Sequence, residues 1–197
     1  SQATPPRRRP LDEARLEGLL DLVQGVRAAP AAGAVHFDGE GDALGAQWDK
    51  LVEKGRLDSA AAAAQKARLK PAASLGDLAG CDLVVEAIVE KLDVKQALFA
   101  ELEGIVQPTA VLATNTSSLS VTAIAAKLKR PAQFAGFHFF NPVPLMKVVE
   151  VIAGLKTDPA VCQALARYAK EMGHTPVQAG DTPGFIVNHA GRGYGTE

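Results

Sequence analysis

Apolar positions along this chain fall into two rhythms, helical spacing and short unbroken runs, which alternate from one end to the other. Leu16, Leu19, Leu20, Val23 and Val26 lie at helical spacing and predict an amphipathic helix from about Asp12 to Ala28, stopped by Pro30 and Gly33. Residues 1–10 are polar and proline-bearing and are expected to form a frayed, flexible N-terminus. Ala34-Val35-His36-Phe37 reads as a short strand, and Gly39, Gly41 and Gly45 follow it among Asp38, Glu40 and Asp42. Trp48, Leu51 and Val52 predict a helical turn or two ended by Gly55, and the alanine-rich stretch Ser59 to Leu69 predicts a helix closed by Pro71.

Beyond Pro71 the pattern is more regular. Strands are predicted over Leu83 to Ile88, Val111 to Thr114, Phe134 to Phe139, Val148 to Ile152 and Pro176 to Ala179. Helices are predicted over Val94 to Ile105, Val121 to Leu128 and Pro159 to Met172, the last capped by Asp158. Strands alternating with helices imply an α/β fold, a parallel sheet with right-handed crossovers and helices on both faces. The near-continuous apolar strands agree with burial of both sheet faces.

Composition narrows the function classes. Apolar residues make up 47% and charged residues 22%, which is globular and excludes general disorder. Lys plus Arg is 21 and Asp plus Glu is 22, so the basic excess of a nucleic-acid binder is missing. Two cysteines, Cys81 and Cys162, cannot form a disulfide framework, and a reducing, cytoplasmic setting is expected. No apolar run reaches about 18 residues, so no membrane span is expected. Arg7, Arg8 and Arg9 lead into Pro10 and an acidic amphipathic stretch, not the apolar block of a signal peptide. No metal site is expected.

In parallel sheets ligands bind beyond the C-terminal strand edge, which directs attention to the polar groups after each strand. These are Glu90 and Lys95, then Asn115-Thr116-Ser117-Ser118, then His138 with Asn141-Pro142-Val143-Pro144. His138 lies among Phe134, Phe137, Phe139 and Phe140, and reads either as a core histidine satisfied by a backbone carbonyl or as a base. A carboxylate on one imidazole nitrogen fixes the tautomer and leaves the other nitrogen to take a proton from an alcohol. Glu150 is the candidate, but spacing alone does not bring the two together. Asn115 and Ser117 read equally as turn and cap residues, Glu90 and Lys95 as surface charges, and Asn188 as a polar residue in a helix opened at Pro183.

Five segments together resemble the NAD-dependent L-3-hydroxyacyl-CoA dehydrogenases: Asp82 to Glu90, Thr114 to Leu119, His138 to Lys147, Val149-Glu150-Val151 and Thr182 to Asn188. The resemblance covers about Asp49 to Glu197, with the motifs in order and in register. It implies a Rossmann-like NAD-binding domain, running here from residue 11 to 197, with an atypical first βα unit. It also implies oxidation of (S)-3-hydroxyacyl-CoA to 3-ketoacyl-CoA with NAD⁺. Carried over by position, His138 resembles the base and Glu150 its orienting partner. Ser117 and Asn188 resemble the residues on the substrate oxygen. Glu90 and Lys95 resemble contacts to the ribose and nicotinamide side of the cofactor, with Asn115 and Ser117 beside them. Lys54 reads either as a lysine on the CoA phosphate or as a surface lysine.

Two departures accompany the resemblance. The family opens on a strand and a glycine turn that seats a pyrophosphate at a helix N-terminus. Nothing before Asp49 matches it well. Gly39 and Gly41 have a related spacing, yet Asp38, Glu40 and Asp42 would repel a diphosphate. The rival reading makes Asp38 the acid on the adenosine ribose, which needs an upstream strand that Arg7 to Leu20 does not supply. The first forty residues loosely resemble a piece of an enoyl-CoA hydratase without its catalytic glutamates, so hydration is not inferred. The family's helical dimerisation domain follows the Asn188 region, and its expected absence implies low activity and exposed apolar surface. A non-catalytic nucleotide- or CoA-binding remnant and a self-associating homo-oligomer are the alternatives.

Overall fold

The computed structural model describes residues 34–36, 41–141, 143, 146–182 and 184–186. The frayed stretch 1–10 and the helix expected over residues 12–28 lie outside the described residues. In chain order the elements are β1 (Ala34–His36), α1 (Gly41–Glu53), α2 (Ser59–Arg68), β2 (Leu69–Pro71), β3 (Leu83–Glu86), α3 (Leu92–Glu103), β4 (Val111–Thr114), α4 (Val121–Ala125), β5 (Phe134–Phe139), β6 (Val148–Ala153), α5 (Pro159–Glu171) and β7 (Thr175–Gly180). Short 3-10 turns at Leu75–Leu78 and Pro131–Gln133 precede β3 and β5.

Where bounds differ from expectation, local bonds explain it. β3 stops at Glu86 and not Ile88, because the Glu86 side chain turns back to accept the Ile88 amide at 2.6 Å. α4 stops at Ala125 because Ala126 and Leu128 donate to Ala123 and Ala125, bonds that tighten the last turn. Around the glycines the expectation is corrected. The helical turn or two expected around Trp48 is a longer helix, with Gly41 as the first residue of α1 and Gly45 inside it. The apolar Trp48, Leu51 and Val52 belong to this same 13-residue helix, and its length outweighs the cost of about 1 kcal/mol for an internal glycine.

β3-β4-β5-β6-β7 form a five-stranded sheet in that spatial order, and β1 and β2 form a separate parallel pair. Three of the four strand pairings are parallel, with one exception between them: β5 and β6 are antiparallel. The wholly parallel sheet expected from the pattern is therefore a mixed, mostly parallel one. The reason is the link. A parallel return needs a crossover of about a dozen residues or more, and only residues 140–147 separate β5 from β6. The α/β, Rossmann-like class stands.

The two sheet faces carry separate cores. Phe99, Leu102, Ile124, Phe134 and Ile152 pack on the α3 and α4 side, with the Phe99 and Phe134 rings edge to face at 4.6 Å. Phe137, Phe139, Val149, Val151, Leu165 and Ala169 pack on the α5 side. Alternation along β5 places Phe134, Gly136 and His138 on the first face. Gly136 has no room for a side chain, since a Cβ would lie 2.9 Å from Ile152 and 3.0 Å from Val121. α4 thus sits close over the strand that carries His138.

β7 is tied back to α4 by Asp181, whose carboxylate accepts the Val121 and Thr122 amides at 2.8 Å and the Ser120 hydroxyl at 2.7 Å. Burial alone would push this carboxyl up, but the hydrogen bonds from Thr122, Ser120 and Val121 outweigh it and hold it below the ordinary aspartate range. A carboxyl lowered in this way stabilises the fold above about pH 4 and ceases to as the pH falls through its folded value. Asp181→Ala should cost about 1 kcal/mol in urea melts at neutral pH. The gap from wild type should close when the melts are carried below the ordinary aspartate range. Equal melts at neutral pH would show that the cap contributes nothing.

Candidate active site

The antiparallel joint builds the centre of the site. Its register sets His138 opposite Glu150, between the pairs Phe137 with Val151 and Phe139 with Val149. Directly opposed residues share a face, with Cβ atoms about 4.5–5.5 Å apart. His138 Nδ1–H donates to Glu150 Oε2 at 2.7 Å, with the two residues 4% and 0% exposed. Glu150 Oε1 accepts the Ile186 amide at 2.9 Å. The partner of His138 is thus a carboxylate and not a backbone carbonyl. This bond holds the neutral imidazole with its proton on Nδ1 and leaves Nε2 as acceptor. Nε2 has no hydrogen-bond partner among the described residues. The rings of Phe140 and Phe185 lie 4.5 Å and 5.7 Å from the imidazole.

A second polar cluster lies at the C-terminal ends of β3 and β4. Lys95, on the first turn of α3, is 1% exposed, and its Nζ lies 2.5 Å from Glu86 Oε1, 3.1 Å from the Ile88 carbonyl and 3.3 Å from Glu90 Oε2. Three acceptors meet its three N–H bonds. Glu86, equally buried, also accepts the Thr114 hydroxyl at 2.8 Å. Burial pushes the Glu86 carboxyl up, and Lys95 and the hydrogen bonds oppose that only in part. Glu90 is the opposite case. Burial would raise it, but the Thr116 hydroxyl, Lys95 and the Ser117 and Ser118 amides together hold it below the ordinary glutamate range. Those amides lie 3.0 Å and 3.1 Å from Glu90 Oε1. One carboxylate therefore grips the turn that carries Ser117.

The other sequence candidates divide. Ser117 is exposed beside Glu90. Asn115 extends both strand pairings, donating its amide to the Glu86 carbonyl at 2.7 Å and accepting the Phe139 amide on Oδ1 at 2.8 Å. Lys54 is exposed in the turn after α1. Gly41 opens α1, while Gly39 and Asn188 lie outside the described residues. Sequence reasoning passed over Glu86 and the Ile186 amide and gave Thr116 no role of its own. Glu86 carried a usable signal, because a carboxylate inside an apolar strand run needs a buried partner, and Lys95 stands nine residues on. The amide carried none, since every residue but proline has one.

Comparison with known proteins adds what the geometry cannot. Residues 36–182 match the model of the 3-hydroxyacyl-CoA dehydrogenase NAD binding domain. The 3-hydroxyadipyl-CoA dehydrogenase of Escherichia coli K12 is 45% identical over 156 residues, which cover 79% of this chain and 33% of that protein. A fatty acid oxidation complex subunit alpha from Pseudomonas putida is 50% identical over 137 residues, covering 70% of this chain and 19% of that one. Among solved structures, 3-hydroxybutyryl-CoA dehydrogenase from Escherichia coli K12 superposes with a TM-score of 0.85 at 40% identity, over 90% of this chain and 39% of that one. The (S)-3-hydroxybutyryl-CoA dehydrogenase of Ralstonia eutropha gives 0.81 at 33%, over 89% and 64%. The chain spans about a third or less of the length of these curated relatives.

The Glu86–Lys95 pair generates a stability test. Removing the ammonium strands a buried carboxylate, so Lys95→Met should destabilise by about 3–5 kcal/mol. Adding Glu86→Gln to that variant should recover most of the loss in a denaturant double-mutant cycle. Additive losses would mean that the two side chains do not answer one another.

Proposed function

We propose, from the premise that this chain belongs to the 3-hydroxyacyl-CoA dehydrogenase family and carries its NAD-binding domain, that its site oxidises a (S)-3-hydroxyacyl-CoA to the 3-ketoacyl-CoA. The observation that supports this most is the His138–Glu150 pair, buried and bonded at 2.7 Å. NAD⁺, when bound, supplies the acceptor for the C3 hydride. His138 Nε2 takes the proton of the C3 hydroxyl as the carbonyl forms, and Glu150 stabilises the resulting imidazolium across Nδ1. The exposed Ser117 hydroxyl, with Asn188, holds the substrate oxygen.

The cluster at the ends of β3 and β4 fits a nucleotide sugar. Glu90 is partly exposed and offers acceptors only, as a ribose hydroxyl requires, while Lys95 is buried with its protons committed. In this reading Glu90 meets the cofactor and Lys95 acts from behind, fixing Glu90 and Glu86. Asn115 acts likewise, holding the ends of β4 and β5 together. Gly39 and Gly41 stand for the phosphate side and Lys54 for the CoA phosphate. Cys81 and Cys162 are free thiols pushed up by burial, which supports a reducing, cytoplasmic setting. Met146 and Ile186 are 41% and 45% exposed on the segments that border the pair, which supports self-association. Light scattering should then give a mass above the monomer, and a clean monomer at high concentration removes that part of the reading.

The reaction is tested in two arms. NAD⁺ titrated calorimetrically should bind the wild-type chain, and at about 100 times the dissociation constant should add roughly 2.7 kcal/mol of stability. With a 3-hydroxybutyryl-CoA substrate, NADH should form. His138→Gln should lower kcat about 10²–10⁴-fold and leave NAD⁺ binding in place. NAD⁺ binding without turnover in the wild-type chain would refute oxidation by this polypeptide.

A further inference from the structure

Among the described residues Phe185 is the one non-glycine with a positive φ, at 49°. An aromatic side chain rarely takes this left-handed backbone, because its Cβ crowds the following carbonyl. The reversal itself does not require it: Gly184 has φ 78°, and the Phe185 amide closes the turn on the Thr182 carbonyl at 2.9 Å. Backbone of this kind persists only where its surroundings over-determine it. The surroundings here are specific. The next amide, that of Ile186, donates to Glu150 Oε1 at 2.9 Å. The Phe185 ring is 3% exposed, packs with the core on the α3 and α4 side, and lies 5.7 Å from His138.

We propose that Phe185 is a positioning residue for the His138–Glu150 pair: its left-handed backbone aims the Ile186 amide at Glu150 Oε1. A carboxylate held at one oxygen only can turn about its own axis. With Oε1 on the Ile186 amide and Oε2 on His138 Nδ1–H, that rotation is stopped, and the imidazole keeps one tautomer and one plane. The catalytic part of this inference rests on His138 being the base of the proposed oxidation, whereas the tautomer part does not.

Two substitutions separate backbone from bulk. Phe185→Asn keeps a residue that tolerates the left-handed region and removes the ring. Phe185→Val keeps an apolar side chain, but its β-branch rejects that backbone. If Phe185 merely fills the core, the asparagine variant is the more damaged in every readout. The positioning role gives the reverse order at His138. Ring ¹⁵N–¹H correlation should show the single Nδ1–H tautomer in wild type and Phe185→Asn, and a mixture in Phe185→Val. In the oxidation assay kcat should fall about 10²-fold in Phe185→Val, with KM for NAD⁺ little changed. A single tautomer in Phe185→Val, or Phe185→Asn as the more disturbed variant at His138, overturns the proposal. Absence of turnover in wild type would refute the oxidation reading alone, and the tautomer spectra would still decide this one. Should Phe185→Val fail to fold, wild-type amide exchange decides: Ile186 exchanging as slowly as the β6 amides supports the proposal, and exchange at the rate of an exposed turn overturns it.

Discussion

A carboxylate with 0% exposure is tolerated only where hydrogen bonds replace the water it has lost, and Glu150 imposes that demand at the centre of the sheet. Its answers come from opposite directions in the chain, an imidazole twelve residues before it and a backbone amide 36 residues after it. The antiparallel register supplies the first, because it sets His138 across from Glu150 on the face that α4 covers. β7 supplies the route to the second: it pairs in parallel with β6 and delivers the chain to Asp181, whose three bonds to the start of α4 hold the turn that leads to Ile186. A shift of the β5–β6 pairing by one residue would flip His138 to the α5 face and leave Glu150 buried without it. The joint, the close glycine at 136 and the Asp181 anchor thus act together to bring both donors to Glu150.

The second cluster solves the same problem in another way. Glu86 and Glu90 both face Lys95, yet they are driven in opposite directions. Glu86 has no surface, so desolvation dominates and its carboxyl is pushed up. Glu90 retains access to solvent and collects two backbone amides and a hydroxyl, so its charge is favoured. Lys95 sits nearer Glu86, at 2.5 Å against 3.3 Å. The ammonium therefore answers mainly the deeper acid, while Glu90 draws its support from the turn it grips. A carboxylate held ionised at a strand end, with its orientation fixed by amides, is preorganised for a hydroxyl ligand.

How far the sequence carried this depended on what kind of group did the work. β4 and β5 were legible because their apolar runs are bounded on both sides by polar or turn residues. The antiparallel joint was legible in principle: residues 140–147 include Asn141, Pro142 and Pro144 and leave no helical pattern for a crossover, though the alternation elsewhere favoured a wholly parallel reading. Once the joint is granted, His138 and Glu150 become candidates for opposition, while the register that pairs them is visible only in the fold. The helix around Trp48 reads too short in the sequence, because the glycines after β1 hide a start at Gly41, from which the apolar positions Trp48 and Val52 continue one helix. Backbone donors left no trace at all. The amides of Ser117, Ser118 and Ile186 decide the geometry of three carboxylate bonds, and their residue types are incidental to it.

The placement of the two clusters agrees with what the proposed oxidation of a secondary alcohol asks for. The reacting carbon gives up a hydride and its oxygen gives up a proton, and the two leave the same C–O unit along different directions. A single cluster cannot receive both. In this sheet Glu90 lies beyond β3 and His138 lies on β5, with β4 and its Asn115–Ser118 turn between them, so in the proposed oxidation the cofactor side and the base come from different strands. Asn115 bonds the end of β4 to the start of the β5–β6 link through the Phe139 amide, and Glu90 bonds the next residues of the same turn. The turn is therefore held from both sides. The separation of Glu90 and His138 is set by strand spacing and not by flexible side chains, which is what the proposed reaction requires for keeping a reacting carbon aligned with both sides.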